Sequence, residues 1–181
     1  MPTSSVRRRC RRAPCRADRL APVGGGAPRQ ITDGQATETG YWGPVWSPDG
    51  KSIAFWASNR LKRVNVETGS VQNIALGHYG VGGSWSQNGT IVFARRFNEG
   101  LFRVNAAGGE AVPVTKIDAS RRESGHLWPH FLPDGERFLY LNRTFAEERN
   151  QIAVASLIVM PLLTAAKRRG RMLSPSSRSD E

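Results

Sequence analysis

Two histidines stand four residues apart in His126-Leu127-Trp128-Pro129-His130, the spacing at which one helical face offers two imidazoles to a metal ion. Pro129 breaks such a helix and the flanking residues read as strand, so the pair is assigned a structural role and no metal site is expected. Glu123, Ser124 and His126 are the residue types of a hydrolytic triad. A triad is defined by geometry, and three residues of one loop do not converge on a nucleophile. Cys10 and Cys15 have no histidine or further cysteine near them to complete a zinc site. Gly24-Gly25-Gly26 is followed by no Gly-Lys-Ser/Thr and no helix, so it reads as a hairpin turn and not a phosphate loop. No Gly-x-Ser-x-Gly elbow occurs, and neither do a kinase Gly-rich loop, a His-Arg-Asp loop or an Asp-Phe-Gly motif. These absences lead to the expectation of a non-catalytic chain with no catalytic residues, metal or cofactor.

The elements that hold these residues are set by a repeat. Trp46-Ser47-Pro48-Asp49-Gly50 returns as Trp85-Ser86-Gln87-Asn88-Gly89 and as Phe131-Leu132-Pro133-Asp134-Gly135, with the final glycines 39 and then 46 residues apart. Pro presets φ, Asp or Asn bonds its own backbone, and Gly takes the positive φ that other residues resist. Pro48, Asp49, Gly50, Asn88, Gly89, Pro133, Asp134 and Gly135 are therefore assigned to structural turns. Runs rich in β-branched and aromatic residues follow each turn: Ser52–Trp56, Thr90–Ala94 and Arg137–Leu141. Third strands are expected at Leu61–Val66, Leu101–Ala106 and Gln151–Leu157, and fourth strands at Val71–Ala75 and Ala111–Thr115. Leu20–Thr32 aligns with Leu101–Thr115, as the third and fourth strands of a preceding blade. Four short strands per unit of about 40–45 residues is the signature of a β-propeller blade. The expected fold is all-β: a partial propeller with two complete four-stranded blades and two incomplete ones, the last beginning near Trp128. Trp42, Trp46, Trp56, Trp85 and Trp128 are assigned to packing between blades.

The formal net charge of +11 is a property of the ends. Residues 1–19 hold seven Arg against one Asp, and residues 167–181 hold five basic residues against two acidic ones, whereas residues 20–166 carry a net of only +2. Residues 1–18 read as a disordered Arg-rich head, 19–157 as the propeller, and 158–181 as a helical or disordered basic tail. The head has no interleaved aromatics to stack on bases, so no specific nucleic acid binding is expected. Ile152–Leu163 is apolar apart from Ser156, but too short to span a bilayer and broken by Pro161. No signal peptide is visible, since no apolar stretch follows the Arg run. Neither feature fixes a compartment.

The phrase WSPDGKSIAF, at 46–55, resembles the TolB-like (WD40-like) propeller repeats of bacteria. The longer runs GGSWSQNGTIVFA, LFRVNAAGGEAVPVT and RRESGHLWPHFLPDGERFLYL resemble the propeller half that follows a transmembrane helix in many bacterial serine/threonine kinases. The resemblance covers about residues 19–157. It implies a propeller module for protein or ligand recognition, a fragment of the sensor or scaffold part of a kinase-like receptor. Related propellers precede the catalytic domain of prolyl-oligopeptidase-like hydrolases, and TolB itself is a periplasmic interaction protein, so those readings stand beside the first. Related propellers are often extracytoplasmic.

In an up-and-down blade, the loops between strands two and three share a face with the connections between blades. The tight turns lie on the opposite face. The first face collects 33–43, 76–82, 95–100 and 116–127, and the candidate partner or ligand residues there are His78, Tyr79, Arg95, Arg96, Arg121, Arg122, Glu123 and His126. The unfinished blades leave open edges, which makes self-association an expectation. Two chains head to tail would close a six-bladed ring, each last blade joined to the other chain's N-terminal hairpin.

Overall fold

The computed structural model describes residues 19–20, 27, 29–30, 43–77 and 80–158. The expected head 1–18, most of the expected tail, both cysteines and the candidate residues His78 and Tyr79 lie outside these. The described residues form four antiparallel sheets in sequence order. Sheet A pairs β1 (Arg19–Leu20) with β2 (Arg29–Gln30). Sheet B holds β3 (Val45–Trp46), β4 (Ser52–Ala57), β5 (Arg60–Asn65) and β6 (Val71–Leu76). Sheet C repeats that order with β7 (Gly83–Trp85), β8 (Thr90–Ala94), β9 (Leu101–Asn105) and β10 (Val112–Pro113). Sheet D holds β11 (Glu123–Phe131), β12 (Arg137–Thr144) and β13 (Gln151–Ser156). Two complete four-stranded blades flanked by incomplete ones is the architecture expected from the repeat.

The turns form for the reasons their residues suggest. Ser47 Oγ donates to Asp49 Oδ1 at 2.5 Å and accepts from Ser52 N–H at 2.8 Å, while Lys51 N–H donates to Asp49 Oδ1 at 3.0 Å. Ser86 and Asn88 repeat this pairing, with Thr90 N–H donating to Asn88 Oδ1 at 3.2 Å. In the third copy Asp134 accepts from the N–H groups of Glu136 and Arg137 at 2.9 Å each and from Arg137 Nε at 2.6 Å. The Arg137 backbone and side-chain bonds, then the Glu136 N–H, hold the Asp134 carboxyl down at about 2. Gly50, Gly89 and Gly135 sit at φ 70°, 80° and 70°, the left-handed region that makes glycine the residue for this position.

Alternation along each strand makes each sheet two-faced, and the faces stack as layers. Ala54, Trp56 and Leu61 of sheet B pack against Ile91, Phe93 and Val104 of sheet C. The opposite face of sheet C, with Val92, Ala94 and Leu101, packs on Phe131 and Phe138 of sheet D. Ile53, Phe55, Ala57 and Val64 form a further buried cluster on the outer face of sheet B. Trp56 lies buried between sheets B and C, and Trp46 and Trp85 flank the clusters, as expected of blade-packing tryptophans.

The last blade differs from expectation at its start. Its first strand begins at Glu123 and not near Trp128. Its pairing with β12 has two irregularities, one between Glu123 and Gly125 and a second, between Leu127 and His130, that carries it past Pro129. The second bulge absorbs the missing N–H of proline and leaves Trp128 at φ 51°. Residues 123–127 are therefore strand, and the loop shrinks to the segment before Glu123, with a 3-10 turn at Ala119–Arg121.

Gly125 shows how tightly this strand is seated. A Cβ there would collide with the carbonyl of Phe97, a backbone group with no rotamer to yield. Gly125→Ala is expected to destabilise the chain by about 2–3 kcal/mol through forced backbone displacement. Urea unfolding followed by tryptophan fluorescence checks this; a loss under about 0.5 kcal/mol would contradict the close approach of 97–98 to β11.

Candidate functional site

β11 and the segment before it bring titratable groups together at the junction of sheets C and D. Leu101 N–H donates to Thr115 Oγ1 at 2.7 Å, so the hydroxyl proton is free to go to His126 Nδ1, also 2.7 Å away. The other ring nitrogen, Nε2, stands 3.2 Å from Glu123 Oε2, a carboxylate oxygen that accepts. Glu123 Oε2 also accepts from Asp118 N–H at 2.7 Å, and Oε1 accepts from Asn142 Nδ2 at 2.5 Å with Arg121 Nε 4.0 Å away. The Tyr140 ring lies 4.8 Å from the imidazole, centroid to centroid. Burial pushes the Tyr140 phenol up, and the Glu123 charge adds to that.

Burial also pushes the Glu123 carboxyl up. The hydrogen bonds from Asp118 N–H, Asn142 and His126 outweigh it, and the net direction is below the ordinary carboxylate value. Asp118 caps the 3-10 turn by accepting from Ser120 N–H at 2.9 Å, and its carboxyl is held low chiefly by the Ser120 hydroxyl, which donates to it at 2.6 Å. Arg122 ends that turn at φ 59°, its N–H on Ala119 O at 3.0 Å.

The constellation has the parts of an acid–base relay, but His126 is 2% exposed and Glu123 7% exposed. Each imidazole nitrogen and each Glu123 oxygen has a protein partner, so the cluster bolts β11 to β12, to Thr115 and to the connecting segment. Ser124 Oγ is buried without a partner and bonds neither His126 nor Glu123, so these residues do not assemble a triad. His130 is exposed on the same bulged strand while His126 is buried. The placement of Glu123 and His126 on an exposed loop face is thus corrected: they lie inside the blade, because the strand starts five residues earlier than the turn pattern indicates.

Of the other candidates, Arg95 is held in place by Glu99 through Nε at 3.2 Å and Nη2 at 3.1 Å. Its guanidinium lies 3.7 Å over the Phe102 ring, which makes it a staple of the 95–100 loop. Arg96 reaches Glu99 at 3.4 Å. Arg121 and Arg122 are exposed on the 3-10 turn. Arg121 and Arg149 rim a small polar cavity of about 170 Å³, lined also by Glu123, Asn142, Thr144 and Gln151. Turn and sheet logic alone missed Asn142 and Thr115, whose partners lie 19 and 11 residues away in sequence. A larger depression of about 580 Å³ lies on the opposite, tight-turn face between sheets B and C, lined by Ser47, Asp49, Arg63, Trp85, Ser86 and Asn105 among others. That face therefore holds more than tight turns.

No family model matches the chain, and no curated protein matches it. Solved structures do. A TolB-type protein of Agrobacterium tumefaciens superposes with a TM-score of 0.58 at 19% identity, over 77% of this chain and 52% of that one. TolB of Acinetobacter baumannii gives 0.56 at 20% identity, over 76% and 34%. An oligogalacturonate lyase of Vibrio parahaemolyticus gives 0.52 at 17% identity, over 79% and 48%. The chain is similar in fold to about half or less of each of these proteins, and that fold is the TolB-like β-propeller.

Proposed function

We propose that the chain is a non-catalytic propeller module that recognises a protein partner, and that it forms part of the sensor or scaffold region of a kinase-like receptor. One observation carries the reading: Glu123 and His126 lie inside the blade, consumed by internal hydrogen bonds, whereas Arg121 and Arg122 project from a capped turn on the long-connection face. A rigid turn presenting two adjacent cations above a sheet scaffold suits an acidic protein surface better than bond-making chemistry. The kinase-receptor part of the proposal rests on the resemblance of 82–94, 101–115 and 121–141. A TolB-type interaction protein is the second reading, supported by the two TolB superpositions.

The test is affinity capture from a bacterial lysate with the wild-type chain and Arg121→Glu/Arg122→Glu side by side. The expected result is a set of proteins depleted at least about tenfold by the charge reversal; because Arg121 Nε lies 4.0 Å from Glu123 Oε1, Arg122→Glu alone, at an exposed side chain, is expected to deplete the same set with an unchanged unfolding midpoint. Equal capture by the two chains would remove this face from the proposal.

A further inference from the structure

The last strand, β13, ends a sheet that the two complete blades extend by one more strand. In sheet B the outer edge of β5 pairs with β6, and in sheet C the outer edge of β9 pairs with β10. Among the described residues β13 pairs only with β12. Equivalent positions follow from register: Trp56↔Leu61, Ala94↔Leu101 and Leu141↔Ile152 each involve the fifth residue of the second strand. Leu61 and Leu101 are both 0% exposed under the face of the next sheet, whereas Ile152, with no described sheet on that face, is 69% exposed and Val154, two residues on, is 59% exposed.

Among the described residues of β13, no charge guards this edge. β13 reads Gln-Ile-Ala-Val-Ala-Ser without a charge, and puts Val154 where the other blades put Arg63 and Arg103. Charged residues are the ordinary defence of an open strand against pairing, and an uncharged β-branched edge is a pairing template.

The backbone phase is also determined. Leu157 N–H donates to Glu136 O on the β12 side at 2.9 Å. Alternation then turns the N–H and C=O groups of Ile152, Val154 and Ser156 to the open edge. An antiparallel copy of the same strand, related by a twofold axis normal to the sheet through Ala153, meets every requirement at once. Ile152 faces Val154 of the second copy as a hydrogen-bonded pair, Val154 faces Ile152, and Ala153 faces Ala153. The four branched side chains lie on one side of a continuous sheet, and no like charges meet along the seam.

We propose that β13 is a self-pairing edge, and that two copies of the chain join through it into a six-stranded sheet in this register. This differs from the head-to-tail ring, in which the N-terminal hairpin would supply the partner strand. The occupant is a second copy because the edge is self-complementary in residue shape, in backbone phase and in its lack of charge.

The register gives the test. Light scattering and sedimentation equilibrium on the full chain, from about 1 to 200 µM, are expected to give a concentration-dependent dimer. Ile152→Lys/Val154→Lys sets lysine against lysine twice across the twofold axis and is expected to raise the dimer dissociation constant at least about tenfold. Ile152→Glu/Val154→Lys carries as many introduced charges but sets Glu against Lys twice, and is expected to restore the dimer. With Cys10 and Cys15 changed to Ser, Ala153→Cys is expected to cross-link on mild oxidation, because a directly opposed non-hydrogen-bonded pair has its Cα atoms about 4.5 Å apart. Gln151→Cys, roughly 13 Å from its own copy in this register, is expected not to. Circular dichroism of each variant confirms that the fold is retained, since the altered side chains stand on an exposed edge. A wild-type chain that stays monomeric overturns the proposal. So does a dimer that survives Ile152→Lys/Val154→Lys, or one that neither Ile152→Glu/Val154→Lys restores nor Ala153→Cys traps.

Discussion

Phe138→Ala is expected to destabilise the chain by about 3–5 kcal/mol, the range for truncating a fully buried aromatic side chain. The Phe138 ring is 0% exposed and sits edge-on to Phe131 at 5.9 Å, among Val92, Ala94, Leu101 and Leu127. It is the side chain that fixes sheet D to sheet C, and a domain of this size has only about 5–15 kcal/mol in hand. The repeat supplies its own control. Register places Ile53, Ile91 and Phe138 at one equivalent position, opposite Val64, Val104 and Ala155. Phe138→Ile installs the residue that two other blades use there, and is expected to lose only about 1–1.5 kcal/mol. Urea unfolding curves for the three proteins check both numbers. A Phe138→Ala loss below about 1 kcal/mol would mean that sheets C and D are not packed through this face.

The second large effect comes from the polar bolt. Glu123→Gln keeps the shape but turns one acceptor oxygen into a donor: in one orientation the amide N–H faces Asn142 Nδ2, in the other it faces His126 Nε2 and deprives Asp118 N–H of its partner. A buried group left opposed or unsatisfied costs the desolvation it once recovered, and the expected loss near pH 7 is about 3 kcal/mol. The pH dependence has a definite sign. The folded-state carboxyl of Glu123 lies below its ordinary value of 4.5, so its contribution is fully present above that value and is lost as pH falls through the folded one. The gap between Glu123→Gln and wild type is thus expected to be widest above about pH 5 and to narrow as pH drops toward 3. Asp49, Asp118 and Asp134, also held low, titrate alike in both proteins and cancel from the difference. Unfolding free energies measured from pH 3 to 7 decide it: a gap independent of pH would mean that Glu123 is not held as a carboxylate in the folded chain.

Architecture was legible because it rests on local chemistry repeated in phase. Ser47-Pro48-Asp49-Gly50 closes a hairpin through bonds spanning two to five residues, and the strands on either side carry their period-two pattern in plain view. The repeats Trp85–Gly89 and Phe131–Gly135 then number the blades and set strand order within each one. Even Trp56 could be assigned to blade packing from its place in β4.

The candidate site was legible only as a list of residue types. Glu123 and His126 looked like loop residues because Pro129 interrupts the strand pattern, and a bulge that carries pairing past a proline depends on β12 lying alongside. The bonds of the bolt reach to Thr115, Asp118 and Asn142, partners that no spacing rule brings together. The sequence by itself determined the blades, the turns and the order of the sheets, because those follow from backbone preferences spanning a few residues. Tertiary structure alone decided which polar side chains are consumed in the blade junction, which arginines remain exposed, and that among the described residues β13 pairs only with β12. Burial and hydrogen-bond satisfaction belong to pairs of distant segments, and only the packed sheets settle them.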